Sequence, residues 1–367
     1  MTILLYIKFV FFLLINFLLV YLVQLPFRKL KDPILRIILF FLKVILTVYL
    51  ALQLVAYSPT IVWNNEYPFA TLYLAMMSDL FKDVICFLIS MIRKKESGEK
   101  LKLIISIIAT ILFVSYNIIN METIKPRYHE EKSHKLKHEY TVVFFSDLHY
   151  GSAQSADIVD KALDEIKQLK PDALLLGGDI TDENTEKEEM EYLFKKIGSL
   201  GVPVCYAYGN HDRQDRGEKI GGKKFTEKQL EDALISNGII ILNEDYTEIG
   251  EDLIVIGRED KSRPEKRKAV KDLPAMPSDH YMITIDHTPY QEDEIIELNA
   301  DLQLSGHTHA GQLFPVKTIY RLIGINTYGD YYIGNTHLYV SSGIAGWYLP
   351  LRSEAHCNYE VFTLKPQ

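Results

Sequence analysis

Five short segments of this 367-residue chain place Asp, Asn or His just where an apolar run ends. Ser146-Asp147-Leu148-His149 follows TVVFF (141–145), and Gly177-Gly178-Asp179 follows ALLL (173–176). Gly209-Asn210-His211-Asp212 follows VPVCYAY (202–208), Asp286-His287 follows YMITI (281–285), and Gly306-His307-Thr308-His309 follows DLQLS (301–305). Each segment alone is weak, because a single acid or histidine at such a place usually caps a turn or satisfies a buried hydrogen bond. Five together point to a shared site. Their oxygen and nitrogen donors, without thiolate, suit Mn, Fe or Zn in a working centre rather than a structural zinc site. Two divalent ions about 3.5–4 Å apart need a bridging carboxylate, and together they generate hydroxide and stabilise an in-line displacement at phosphorus. Glycines beside these residues (Gly178, Gly209, Gly306) let the backbone turn tightly and approach a phosphate.

The elements that must position these residues alternate between two periods. Runs rich in β-branched and aromatic residues predict strands at 141–145, 173–177, 202–208, 239–243, 253–257, 281–285 and 301–305. Helical spacing predicts helices at 154–170, 185–198, 226–236 and 291–298, and the tail from Tyr320 to Leu364 is strand-rich. Strands alternating with helices predict an α/β sheet sandwich. In open α/β sheets, sites form beyond the carboxyl ends of the strands, which is where the five segments fall.

The order D-x-H, G-G-D, G-N-H-D, H, G-H-T-H across 141–312 resembles the calcineurin-like metallophosphoesterase family. GQLFP (311–315), LYVSSGI (338–344) and PLR (350–352) resemble its membrane-associated bacterial branch. The resemblance implies a four-layer α/β/β/α sandwich over residues 140–367 with two divalent ions, Mn, Fe or Zn, with Mn favoured. By motif position, Asp147, His149, Asp179 and His309 would hold one ion. Asp179, Asn210, His287 and His307 would hold the other, with Asp179 as the bridge. His211 would stabilise the phosphoryl oxygens or protonate the leaving group, and Asp212 would orient His211. A metal-bridging hydroxide would attack phosphorus. Ala310 and Asp286 stand where the family often has Gly and an apolar residue. Asp286 reads either as a partner of the ligands or as a solvated strand-end acid.

Two further stretches bear on substrate choice. The run after the G-N-H-D motif is basic and glycine-rich, with Arg213, Arg216, Lys219, Lys223, Lys224, Gly217, Gly221 and Gly222. It reads as a mobile lid for a phosphorylated substrate or as a solvated loop. Trp347 and Tyr348, with Arg352 nearby, read as pocket lining or as core.

Residues 1–125 hold 13 Lys and Arg against 7 Asp and Glu, a balance of +6. The rest of the chain holds 27 against 41, a balance of −14, which argues against a general nucleic-acid grip. Three scattered cysteines, Cys86, Cys205 and Cys357, imply no disulfide framework. Apolar stretches at about 3–24, 34–57, 69–92 and 102–121 are each long enough to cross a bilayer, which makes residues 1–121 a four-helix transmembrane region. The third stretch carries Asp79, Lys82 and Asp83 on one helical face, as a buried polar site or as self-paired charge. Arg28, Lys29 and Lys31 fill the first loop, and Arg93, Lys94, Lys95, Lys100 and Lys102 the third, while Ser58–Pro68 has no Lys or Arg. By the positive-inside rule, four crossings of a cell membrane put the soluble domain outside the cytoplasm. Residues 122–139 read as a charged juxtamembrane linker with solvated His129, His134 and His138.

The expectation is therefore a membrane-anchored, two-metal hydrolase of a phosphate ester, whether mono-, di- or pyrophosphate. Its partners would be the lipid bilayer and a phosphorylated small-molecule or lipid-linked substrate. The rivals are a membrane sensor or scaffold with a non-catalytic phosphoesterase-like domain, and a nuclease.

Overall fold

The computed structural model describes residues 3–24, 32–56, 66–217 and 222–367, and the chain divides into two compact units. Arg28, Lys29, Lys31, most of the Ser58–Pro68 loop, Lys219 and Gly221 lie outside the described residues.

Among the described residues the first unit contains four long helices: α1 (Ile3–Gln24), α2 (Pro33–Ala56), α3 (Glu66–Arg93) and α4 (Glu99–Glu122), whose last residues from Asn120 group with the second unit. Three of them, α1, α2 and α4, are long and apolar enough to cross a membrane, not the four expected. The exception is α3, and the reason is its charge. It packs against both α1 and α2, with Tyr73 and Leu74 fully buried and Asp79 and Lys82 nearly so. Lys43 of α2 reaches Asp79 at 2.5 Å and also pairs with Asp83. Lys82 pairs with Asp79 and lies 3.1 Å from Asp83, and the Gln24 amide donates to Asp79 at 2.7 Å. Two lysines and two aspartates thus balance inside the helix cluster, as self-paired charge.

The second unit carries two six-stranded sheets. In the first, β1 (Ile124–Ser133), β12 (Cys357–Pro366), β2 (Tyr140–Phe145), β3 (Ala173–Leu176), β4 (Val204–Tyr206) and β5 (Ile239–Ile241) lie in that order. Strands β2 to β5 run parallel. In the second, the order is β10 (Gly329–Ile333), β11 (Thr336–Val340), β9 (Leu302–Ser305), β8 (Tyr281–Ile285), β7 (Leu253–Gly257) and β6 (Asp245–Ile249). Strands β11, β9, β8 and β7 run parallel.

Strand residues alternate between faces, and this chain uses both. Val143, Phe145, Leu174 and Leu176 join a core with the apolar stripes of α5 (Ala156–Leu169), α6 (Lys187–Gly198) and α7 (Glu227–Ser236). Val142, Phe144 and Leu175 face Val255, Ile283 and Leu304 of the second sheet. Parallel strands buried on both faces must be apolar throughout, which is why they read so clearly as runs.

Residues 122–139 differ from expectation. They contain β1, an edge strand paired in parallel with β12. Its inward positions carry polar side chains, so it shows no apolar period. Those side chains are satisfied by ring and acid partners: Arg127 donates to the Tyr328 hydroxyl, His129 pairs with Glu360 at 2.7 Å, and Glu131 pairs with His337 at 2.8 Å. The charges that resembled a solvated linker protect an exposed edge.

Leu175 is fully buried on the middle strand of the inter-sheet core. Leu175→Ala should cost about 2–5 kcal/mol of stability by lost burial and a cavity. Chemical denaturation of the full chain in detergent reads this, and a loss within error of zero would contradict the packing described.

Candidate metal centre

Parallel strands of both sheets deliver side chains beyond their carboxyl ends. Asp147 and His149 follow β2, Asp179 follows β3, Asn210 and His211 follow β4, His287 follows β8, and His307 and His309 follow β9. The sheets are stitched together here. The His307 amide donates to Asp147 Oδ1 at 2.9 Å, and the His287 ring Nδ1 lies 2.8 Å from the Gly177 carbonyl.

Two clusters result. Asp147, His149 and His309 offer donor atoms within 4.8 Å of one another, and Asp179, His287 and His307 do the same. In the first, His149 Nε2 lies 3.2 Å from His309 Nε2, and His309 Nε2 lies 3.4 Å from Asp147 Oδ1. In the second, His287 Nε2 lies 2.9 Å from Asp179 Oδ2. The same Asp179 oxygen is 3.9 Å from His149 Nε2, so Asp179 stands between the clusters. Asn210 joins the second through Oδ1, 2.9 Å from His307 Nδ1. Donors bound to one cation at about 2.0–2.2 Å must lie within about 4.4 Å of each other, which both clusters approach. The residue chemistry therefore fits a pair of divalent ions.

The electrostatics agree. Burial pushes His149 down, but the carboxylates of Asp182, Asp179 and Asp147 outweigh it and hold the ring up at about 9. Burial raises both site carboxyls, yet the rings of His287, His211 and His149 hold Asp179 well below the usual range. Asp147, fully buried, stays above it. Burial and the neighbouring His287 push His307 down to about 3, a neutral ring with a lone pair to offer. The pocket draws positive charge.

The backbone is bent to serve it. Asp147, His149, Asp179, His307 and His309, five of the seven candidate ligands, have φ between +44° and +71°. That region is sparsely populated for non-glycine residues, and such strain collects where a site needs it.

Residues 140–311 match the family model for the calcineurin-like phosphoesterases. This region is a calcineurin-like metallophosphoesterase domain. An uncharacterized metallophosphoesterase of Helicobacter pylori is 32% identical over 235 residues, covering 64% of this chain and 62% of the relative. One of Bacillus subtilis is 28% identical over 254 residues, covering 65% and 84%. A transmembrane protein with a metallophosphoesterase domain from Danio rerio is 24% identical over 287 residues, covering 73% and 64%. The chain thus spans under two thirds of the Helicobacter and Danio relatives.

Two assignments change within the metallophosphoesterase domain. Asp212 does not orient His211. It accepts backbone N–H bonds from Asp179 at 2.8 Å, Ile180 at 2.8 Å, Thr181 at 3.0 Å and Gly209 at 2.6 Å, so it ties the two ligand loops together. The partner of His211 is Glu183, buried, with Oε2 2.7 Å from the ring Nδ1. Glu183 is not legible in the sequence as a site residue. Its signal was an acid four residues past Asp179, indistinguishable from the solvated acids that follow. Asp182 was missed likewise, and lies 3.4 Å from His149 Nδ1.

The described basic residues after the motif are mostly tied down. Arg213 is buried, bonded to Glu259 at 2.6 and 2.8 Å and stacked 3.4 Å above the Tyr208 ring. Lys223 and Lys224 pair with Asp215 and Glu186, each at 2.8 Å. Arg216 is the exception, with Nη1 3.5 Å from His211 Nε2. Trp347 packs on His211 with ring centres 5.4 Å apart, and Tyr348 is buried. Asp286 is a buried partner of Arg267 at 2.6 Å, not a solvated acid. Among the linker histidines, His138 lies 3.7 Å from Asp252, and neither it nor His129 joins a donor cluster.

Gly306 lies against the first cluster. A Cβ there would stand 2.3 Å from Asp147 Oδ2 and 2.2 Å from Ser146 Oγ. Gly306→Ala should therefore displace Asp147 and lower metal retention. Elemental analysis of purified protein checks this, and wild-type metal content in the variant would refute it.

Proposed function

We propose that the protein is a membrane-anchored, two-metal phosphoesterase that hydrolyses a phosphate ester. The observation that carries this is the pair of buried donor clusters with Asp179 between them and His211 alongside. In this reading Asp147, His149, Asp179 and His309 hold one ion, and Asp179, Asn210, His287 and His307 the other. Hard oxygen and imidazole donors suit Mn, Fe or Zn, with manganese first. When bound, the two ions supply Lewis acidity toward the phosphoryl oxygens and an activated water.

The chain's own residues do the rest. The Glu183 carboxylate, 2.7 Å from Nδ1, holds the His211 ring in place and leaves Nε2 for a phosphoryl or leaving oxygen. Arg216 offers a second donor beside that nitrogen. Trp347 covers one side of the ring against water. The His287 ring is fixed by the Gly177 carbonyl at Nδ1, which leaves Nε2 for the site.

The two sheets, with helices against the first and α8 (Glu292–Leu298) placing Ile295 against Leu338 and Val340 of the second, support a four-layer sandwich. Three apolar helices and the Danio relative's name support the membrane anchor. With α3 as a fourth, polar crossing, Arg93, Lys94 and Lys95 lie on the cytoplasmic face and the phosphoesterase domain outside. A substrate that is a phosphorylated small molecule or a lipid-linked phosphate fits that address.

The test is turnover by the full chain in detergent with Mn²⁺, against phosphomonoesters, phosphodiesters and pyrophosphates. Wild-type protein should act on at least one class, lose activity to chelator, and lose it in Asp179→Asn and His211→Ala. No metal-dependent turnover of any class would sink the proposal. Glu183→Gln should retain metal content and thermal stability yet lower turnover by about ten- to a hundredfold. Full activity in that variant would remove Glu183 from the mechanism.

A further inference from the structure

Four arginines of the phosphoesterase domain meet carboxylates. Arg213 pairs with Glu259, Arg258 with Glu244, Arg263 with Asp215 and Arg267 with Asp286. Arg216 stands differently. Among the described residues its one polar contact is His211, with Nη1 3.5 Å from Nε2. The acid next to it in sequence, Asp215, is engaged by Lys223 at 2.8 Å and by Arg263 at 2.6 and 2.7 Å. A guanidinium stays charged at any working pH, and its fork of N–H groups matches the oxygens of a phosphate.

A second unanswered donor stands against the same ring. The Trp347 indole packs on His211, and its Nε1 is buried with no hydrogen-bond partner. A buried Trp N–H normally has a partner, because leaving it unpaired carries a desolvation cost. The position is well fixed. The Trp347 amide donates to Gln312 Oε1 at 2.9 Å, and the Gln312 side-chain amide donates back to the Trp347 carbonyl at 3.2 Å. The turn that carries Arg216 is fixed as well. The Gln214 side chain donates to the carbonyls of Asp182 at 2.7 Å and Thr185 at 3.0 Å, and the Gly217 amide donates to the Gln214 carbonyl at 2.9 Å.

Two unanswered donors, one of them cationic, thus meet the His211 ring. That ring lies against the first cluster, 5.3 Å from the His149 ring. Neither Arg216 nor Trp347 belongs to a donor cluster. The phosphoryl group under attack has the two ions for its oxygens. A cation and an N–H beside the ring that faces the leaving oxygen match a leaving group that is itself anionic.

We propose that Arg216 and Trp347 form a subsite for a second phosphoryl group, so that the substrate is a diphosphate diester and the bond cleaved is P–O–P. This rests on the two-metal hydrolase reading above. The oxygen of water bonds to the phosphorus under attack. The bond from that phosphorus to the bridging oxygen breaks, and its electron pair stays on the bridging oxygen. The second phosphoryl group leaves as a phosphate monoester anion beside Arg216, and the protons of the water pass to solvent. A simple alcohol leaving group has no charge to place there.

The experiment uses the full chain in detergent with Mn²⁺, in a Trp63→Phe background that leaves Trp347 as the sole tryptophan. The substrates are phenyl phosphate, diphenyl phosphate and symmetrical diphenyl diphosphate. The binding probe is the analogue of the last with a methylene in place of the bridging oxygen, read by Trp347 fluorescence and by calorimetry. Arg216→Gln should lower kcat/KM for the diphosphate at least about tenfold more than for the other two substrates, and weaken the probe by a similar factor at wild-type metal content. Trp347→Phe, which keeps a ring and drops the N–H, should do the same by about threefold. Arg216→Lys should recover part of the loss. An equal loss on all three substrates assigns Arg216 to the phosphoryl group under attack and overturns the subsite, as does unchanged probe binding in both variants. Turnover of phenyl phosphate or diphenyl phosphate without turnover of the diphosphate overturns the subsite and leaves the hydrolase reading standing. Probe binding that depends on Arg216, in a protein that turns over none of the three, upholds the subsite while the hydrolase reading fails.

Discussion

Two carboxylates, Asp147 and Asp179, are buried together among imidazole rings, and the rest of the phosphoesterase domain is arranged around that fact. Buried like charges are costly unless donors and opposite charge face them. Here the donors are backbone amides: His307 N to Asp147, and His211 N to Asp179 at 2.8 Å. The loops that aim these amides inward include left-handed turns at five candidate ligands. Two apolar sheets on either side hold those turns in place.

The acids outside the clusters extend the same logic. Asp212 gathers four amides and so joins the loop after β3 to the loop after β4. Glu183 and Asp182 stand behind His211 and His149. Further out, Arg213 with Glu259 and Arg267 with Asp286 are buried pairs whose charges cancel locally. These outer pairs neutralise charge within the core, while the acids at the site face imidazole rings and backbone amides.

The helical unit solves a similar problem differently. Asp79, Asp83, Lys43 and Lys82 come from two helices and satisfy one another, with Gln24 contributing from a third. Charge in a low-dielectric setting is tolerable when paired in this way. That pairing explains why α3, the least apolar of the long helices, is also among the most buried.

The sequence alone determined the central strands, the helices between them and the seven candidate ligands. Runs buried on both faces must be continuously apolar, and ligands must follow them directly, so both features are local in the chain. Only the tertiary structure decided the rest. Strand β1 was illegible because its inward side chains are polar and find their partners some 200 residues away, such as Glu360 for His129. Arg213 looked like part of a lid because its acid, Glu259, lies 46 residues further along the chain. The exchange of Asp212 for Glu183 beside His211 turns on which carboxylate points where, and that depends on loop conformation rather than on residue type. Residue types name the donors a site can use; three-dimensional packing decides which donor meets which partner.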